Sequence, residues 1–347
     1  MPIKPFALLI IVVLGWAIIP PTVFHAIYAM RQRAARKAGK RAIPRFVIRR
    51  WYAAYAFLSV AFGWSTVFLF YPLLRSLQYS LTDKSLSAGS SAGWVGLANY
   101  SSIFHDLLWW KSVGVTVLFI LGTLPYSVFV CLLLASLIVS LSTGWQTFFK
   151  TALYVPGVTS VAVNAAIMRW IFYPGDGFAN VILGKLGLLS LLQKLGWISG
   201  KPTWFADPNL ALPTVIVMSW LGVNAMAVII YCAALGGIPK DYYEASELDG
   251  ASPTQKFFHI TWPLAKPSTI YVVITGLIGG FQVFAPALLI TAGGPMGWTN
   301  FVNYVIYRTF YYENQFGRAC AMSVALMIII VTVSIINYRY MATDVEY

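Results

Sequence analysis

The sequence predicts an all-α integral membrane protein with about seven transmembrane helices, and three observations predict it. Only 10% of its 347 residues are charged and 59% are hydrophobic, with a mean hydropathy of +0.72, whereas a soluble domain carries about 25% charged residues. Apolar runs of the length needed to cross a bilayer recur between short polar links. The net charge of +13 is local: nine basic residues lie between Arg31 and Arg50 with no acid among them, leaving 15 basic against 11 acidic residues elsewhere. That is a topology signal, and it argues against a nucleic-acid surface.

The first span covers residues 6–24, with Pro20 and Pro21 near its end. A cleaved signal peptide is the competing reading. Ile27 spoils the small-x-small pattern before Ala29, and cleavage there would send the basic run outward. The basic run (Arg31, Arg33, Arg36, Lys37, Lys40, Arg41, Arg45, Arg49, Arg50) is expected in the cytoplasm, with the N-terminus outside; it can also attract anionic lipid headgroups. The second span runs from Trp51 to about Leu74, with Trp51, Tyr52 and Tyr71 as interfacial rings. Residues 78–106 are then external. The third span is expected at 112–140, the fourth at 152–172 after a cytoplasmic link carrying Lys150, and the fifth at 209–235. Between the last two lies an external segment, 174–208, with a turn at Tyr173–Gly177 and a short amphipathic helix at Leu183–Trp197. The sixth span, 268–292, holds Gly276 and Gly280, a small-xxx-small pair that lets another helix approach closely. The seventh covers 316–337. Cys131, Cys232 and Cys320 are scattered through apolar runs and read as packing residues, outside any disulfide or metal framework.

The link between the fifth and sixth spans, Ile238 to Pro267, is the least membrane-like part of the apolar half. It carries four of the eleven carboxylates: Asp241, Glu244, Glu247 and Asp249. The pattern predicts two short helices broken at Gly250. Pro239 opens the first, with the acids at the positive end of its dipole. Ser252 caps the second, Pro253 starts it, and Pro263 ends it. Phe257, Ile260 and Leu264 recur at helical spacing as an apolar stripe.

Glu244-Ala245-Ser246, Asp249-Gly250-Ala251, Phe257, Ile260, Pro263 and Leu264 together resemble the EAA loop of binding-protein-dependent ABC importers. Within that family the chain is most similar to the sugar permeases, of the kind that carry maltose or glycerol phosphate. The spacing is specific, with Gly six residues after the Glu and Pro thirteen after the Gly. Ser246 and Trp262 depart from it, where the family favours Ala and Leu. Val-Gly-Leu-Ala-Asn-Tyr (95–100) resembles the family's GLxNY element. Thr291, Gly293, Gly294 and Pro295 resemble its TGGP turn with Ala292 inserted. Tyr307 and Phe310 fit a YxxxF element only loosely.

The resemblance covers residues 50–340 and implies a six-helix type I importer core preceded by one N-terminal helix. The implied organisation is 1–50 as the extra helix and basic segment, and 51–347 as the transmembrane domain with its coupling loop at 238–267. It further implies a second permease subunit (the added helix pointing to a heterodimer), two copies of a P-loop ATPase carrying ATP and Mg, an extracytoplasmic solute-binding protein and a sugar substrate. In the family this loop sits in a cleft of the ATPase and passes on its closure. The bilayer is the cytoplasmic membrane, with the loop and C-terminus in the cytoplasm.

The chain has no G-x-x-x-x-G-K-[ST] phosphate loop, and His25, His105 and His259 are isolated. No catalytic set, metal site or bound cofactor is expected. His105 and Asp106 lack a third group, and Arg169 and Arg318 sit near span ends where they can snorkel. A carrier coupled to protons or sodium usually shows a midplane carboxylate; none is visible, which points to a neutral or weakly charged substrate. By resemblance, the substrate pathway falls to the spans flanking the loop, at Trp220, Gly222, Val223, Asn224, Gly279, Gln282 and Phe284. The amides among these can equally bond between helices, and the glycines can simply pack. Two other classes compete. A secondary carrier or channel leaves the loop pattern unexplained, and a membrane enzyme acting on lipid-linked sugars lacks paired carboxylates on a membrane face.

Overall fold

The computed structural model describes residues 29–30, 54, 57–58, 61–85, 92–196, 198 and 200–342. The first span and the basic run, and with them the N-terminal domain, lie outside the described residues apart from Ala29 and Met30. The chain divides into two compact units, Met1–Thr82 and Asp83–Tyr347. In the first, helix α1 (61–80) contains a π-helical turn, Thr66–Phe70, just before Pro72.

The second unit is helical, built from α2 (Ala98–Phe104), α3 (Leu107–Val139), α4 (Thr143–Gly157), α5 (Val161–Ile171), α6 (Phe178–Lys185), α7 (Leu188–Lys194), α8 (Ala211–Leu221), α9 (Ala225–Gly236), α10 (Asp241–Leu248), α11 (Pro253–Leu264), α12 (Lys266–Phe281), α13 (Val302–Tyr311) and α14 (Phe316–Ala342). Among the described residues two helices are long and apolar enough to cross a membrane alone, Leu107–Val139 and Phe316–Met341. At 1.5 Å per residue α3 is about 50 Å long, well beyond the hydrocarbon thickness. The third and seventh expected spans are these two helices, each longer than its apolar run suggests.

The fourth and fifth expected spans are broken. α4 and α5 meet at 88° and α8 and α9 at 47°. Pro156 and Gly157 weaken the first junction, and Ser160 restarts the chain in an extended conformation. In the second, α8 stops at Gly222 and α9 begins only after Asn224, whose side chain accepts the Ala227 N–H. The expected amphipathic helix at 183–197 is also split, because Gly187 adopts a left-handed conformation between α6 and α7. The sixth span is helical only to Phe281; a π-helical turn at Ala287–Thr291 follows Pro286.

α3 is the central post. Its C-terminal half packs on α9 through Val128, Cys131, Leu132 and Ala135 against Val228, Tyr231, Cys232 and Leu235. A second core joins Trp109 and Ile120 of α3 to α12, α13 and α14. The three cysteines are buried and form no disulfide among the described residues, with Cys131 and Cys232 in or beside these contacts. α12 approaches α3 through glycines: a Cβ on Gly276 would stand 2.5 Å from Leu124 Cδ1, and one on Gly280 2.5 Å from Ile120 Cγ1. Gly280→Val is therefore expected to force the helices apart and lower the folded yield severely, as overpacked cores cost about 1–3 kcal/mol; detergent size-exclusion profiles check this. At the other end of α3, Asp106 accepts the Leu108 N–H as N-cap and pairs with Arg318 of α14. Arg318 is thus an anchor between helices, and the snorkelling expected of it is not what holds it.

Candidate coupling loop and substrate cavity

The loop between α9 and α12 folds as a stiff hairpin of helices. Lys240 is the N-cap of α10 and Asp241 its first residue, so Pro239 precedes the helix by two residues and does not open it as expected. The acids Asp241 and Glu244 occupy the first turn, at the positive end of the dipole. Gly250 has φ +76°, a left-handed conformation reserved for Gly and a few polar residues, and the Ala251 N–H closes the turn on the Ser246 carbonyl at 2.9 Å. Ser252 and Gln255 form a reciprocal capping box ahead of Pro253. Lys256 bridges back to Glu247 at 2.7 Å, tying the second helix to the first.

Pro263 does not end α11. Its missing N–H is absorbed by a π-helical turn at Phe257–Thr261, and the helix continues to Leu264 before turning 71° into α12. Phe257 contacts Phe129 of α3 edge to face at 6.2 Å and packs on the core, with Trp262 in the same aromatic group. The Tyr243 and Thr261 hydroxyls are 3.1 Å apart, and Ile260 and Leu264 are half-buried. Within the apolar stripe, Phe257 fastens the loop to α3 of its own chain. The most exposed apolar residue of the loop is one the sequence reading passed over: Leu248, 91% exposed at the tip of α10 beside Asp249 and Gly250. A lone leucine among carboxylates was its only signal.

The break in the fifth span opens onto a cavity of about 260 Å³ walled by α3, α8, the break itself and α12. Gly222, Val223, Asn224 and Gly279 line it, as do the hydroxyl-bearing residues Thr123, Tyr126, Ser127, Ser219 and Thr275, four of whose hydroxyls donate to backbone carbonyls. Those hydroxyls escaped the sequence reading, although Thr123 and Ser127 share one face of a helix. No lining residue is charged. Asn224 spends its side-chain oxygen capping α9 at 3.2 Å, leaving its amide donors uncommitted among the described residues. Gly279 has open space where a Cβ would be, so it widens the cavity, whereas Gly276 and Gly280 serve packing. Trp220 stands behind the wall: it stacks on Tyr126 at 4.9 Å and donates its indole N–H to the Gly122 carbonyl at 2.9 Å. Gln282 and Phe284 do not join this group. They border a separate cavity of about 530 Å³ with Asn303 and Ser323. A third space, about 310 Å³, reaches Asn164 and shares Ser219 and Gly222 with the first.

Residues 108–343 match the family model described as "Binding-protein-dependent transport system inner membrane component". The chain belongs to that family. The permease is 33% identical to the arabinooligosaccharides transport system permease protein AraP of Halalkalibacterium halodurans, over 78% of this chain and 81% of that protein. It is 28% identical to the sn-glycerol-3-phosphate transport system permease protein UgpA of Agrobacterium fabrum, over 82% of this chain and 92% of that one. The sulfoquinovosyl glycerol permease SmoG of the same organism is 29% identical, over 80% of this chain and 86% of that protein. In fold the permease is similar to a solved bacterial ABC transporter that imports alginate, with a TM-score of 0.71, 20% identity, and coverage of 86% of this chain and 98% of that one. The helical importer-permease fold implied by the EAA-like residues is thus the fold observed.

Proposed function

We propose that the permease is the membrane-spanning half of an ATP-driven importer that carries a neutral sugar, or a related polyol, inward. The observation that carries this is mechanical. The coupling loop is fastened to α3 and runs directly into α12, and the same two helices form walls of the uncharged, hydroxyl-lined cavity. Movement applied at the loop is delivered to the cavity. Non-helical backbone at membrane depth persists where it is buried in protein or lines a wet cavity, which fits the Gly222–Asn224 break.

The partners in this reading are a second permease subunit, two ATPase subunits that hold ATP and Mg, and an extracytoplasmic binding protein. ATP is hydrolysed on the partner; this chain is the relay. The binding protein delivers substrate to the external segments 76–109, 174–208 and 293–315. Closure of the ATPase dimer moves the loop and tilts α3 and α12 so that the cavity faces outward, and hydrolysis resets them. The loop and C-terminus then lie in the cytoplasm and the N-terminus outside. Similar proteins are named for neutral arabinooligosaccharides and for anionic glycerol phosphate alike. Here the lining offers an anion no cation, and burying an unpaired charge is costly, which favours the neutral class.

Asn224→Asp tests this chemistry. It keeps the capping oxygen but removes the amide donors and puts a charge in the cavity. Neutral-sugar uptake into proteoliposomes is expected to fall about tenfold or more, the effect of one lost buried hydrogen bond with its partner stranded, while assembly with the ATPase is unchanged. Unchanged uptake would remove Asn224 from the pathway. Uptake that runs down a gradient without ATP would restore the carrier reading.

A further inference from the structure

α13 carries an aromatic patch that the coupling mechanism does not use. Asn303, Tyr307 and Tyr311 fall at successive four-residue steps and share one face of the helix. The Tyr307 and Tyr311 rings lie parallel, with centroids 5.6 Å apart and planes within 7°. Tyr312 meets both edge to face, at 6.0 and 5.4 Å. Phe284, from beyond the end of α12, completes the group against Tyr304 and Tyr307. Tyr311 and Tyr312 are 58% and 65% exposed. The patch adjoins the cavity of about 530 Å³ through Phe284; Gln282, Asn303 and Ser323 lie on that cavity's wall, whose other residues are apolar. Asn303 donates to the Gln282 carbonyl, which holds the two residues side by side.

We propose that this patch is a second sugar subsite, a stacking platform on which a pyranose or furanose ring rests before it enters the substrate cavity. Its position follows from the chain path: α12 leads away from the coupling loop for 16 residues, about 24 Å, so α13 lies at the opposite, external end. The chemistry fits one ligand class. The C–H face of a sugar ring is weakly positive and packs on the negative face of an aromatic ring, while its rim hydroxyls need amide and hydroxyl partners of the kind Asn303, Gln282 and the tyrosines supply. A belt that merely anchors a helix at the membrane surface needs neither mutually packed rings nor amides beside them. The subsite rests on the importer reading for its direction but not for its binding chemistry.

Saturation-transfer NMR on the full chain in lipid nanodiscs tests it, with arabinotriose, lactose and maltotriose as probes. Stacking is tolerant of sugar type, so ring C–H protons of at least one probe are expected to receive saturation. The double variant Tyr311→Ala/Tyr312→Ala should lower the transfer severalfold, because it removes the two most exposed rings of the platform. The matching double Phe variant should preserve it. Should the double Ala variant fail to fold, Tyr312→Ala alone, at the more exposed ring, carries the same expectation. No transfer from any probe, or equal transfer from wild type and Ala variant, overturns the subsite, as does equal loss in the Phe variant. Failure of the importer reading would show separately, as absence of a co-purifying ATPase.

Discussion

Gly250→Val is expected to cut coupled transport about tenfold or more while leaving the chain inserted in the membrane. The residue sits at φ +76° with nothing within 4 Å of where a Cβ would stand, so the whole penalty is conformational. A left-handed conformation costs an ordinary L-residue roughly 1–2 kcal/mol and a β-branched one is a still greater outlier. At 1.4 kcal/mol per factor of ten, the turn that joins α10 to α11 loses about tenfold or more of its population. Asn tolerates this region, so Gly250→Asn should retain most activity. Uptake and sugar-stimulated ATP hydrolysis in the reconstituted complex check the pair. A valine variant as active as wild type would mean that the turn geometry does not matter for coupling.

Leu248→Asp is expected to release the ATPase. Leu248 is 91% exposed and makes no core contact, so the substitution should change the chain's own stability by less than about 0.5 kcal/mol. Buried at the centre of an interface, the same side chain would contribute about 2 kcal/mol through the apolar surface it removes from water. The ratio of ATPase to permease after mild-detergent purification should fall roughly thirtyfold on that scale. Phe257→Ala should act differently. It removes the contact with Phe129 and the core, loosening the loop from α3. ATPase binding is then retained while its hydrolysis no longer drives uptake.

The all-α membrane class and the two unbroken spans were legible because hydropathy reads long apolar runs directly. The loop was legible for a different reason: Gly250, Ser252 and Pro253 each have a backbone or capping role that follows from local chemistry alone. The breaks were not. Gly222-Val223-Asn224 interrupts α8 and α9 without interrupting the apolar run, so hydropathy passes over it. The π-helical turn that lets α11 continue through Pro263 likewise has no compositional trace. Periodicity identified Phe257, Ile260 and Leu264 as a stripe but carried no information on which neighbour it faces; Phe129, more than a hundred residues earlier, decides that. The grouping of Gln282 and Phe284 with Gly279 failed because three residues past Phe281 the helix has ended and the chain has turned to another cavity.

Crosslinking from position 248 tests the central claim most directly. Cys131, Cys232 and Cys320 are all buried, so Leu248→Cys adds the one exposed thiol among the described cysteines. A thiol-reactive photocrosslinker attached there in native membranes, followed by mass spectrometry, identifies what the loop tip touches. The account predicts a P-loop ATPase, with the crosslink weakened when Gly250→Val is added. A tip that crosslinks to lipid alone, or to no protein at all, would contradict the coupling role and return the chain to the uncoupled carriers.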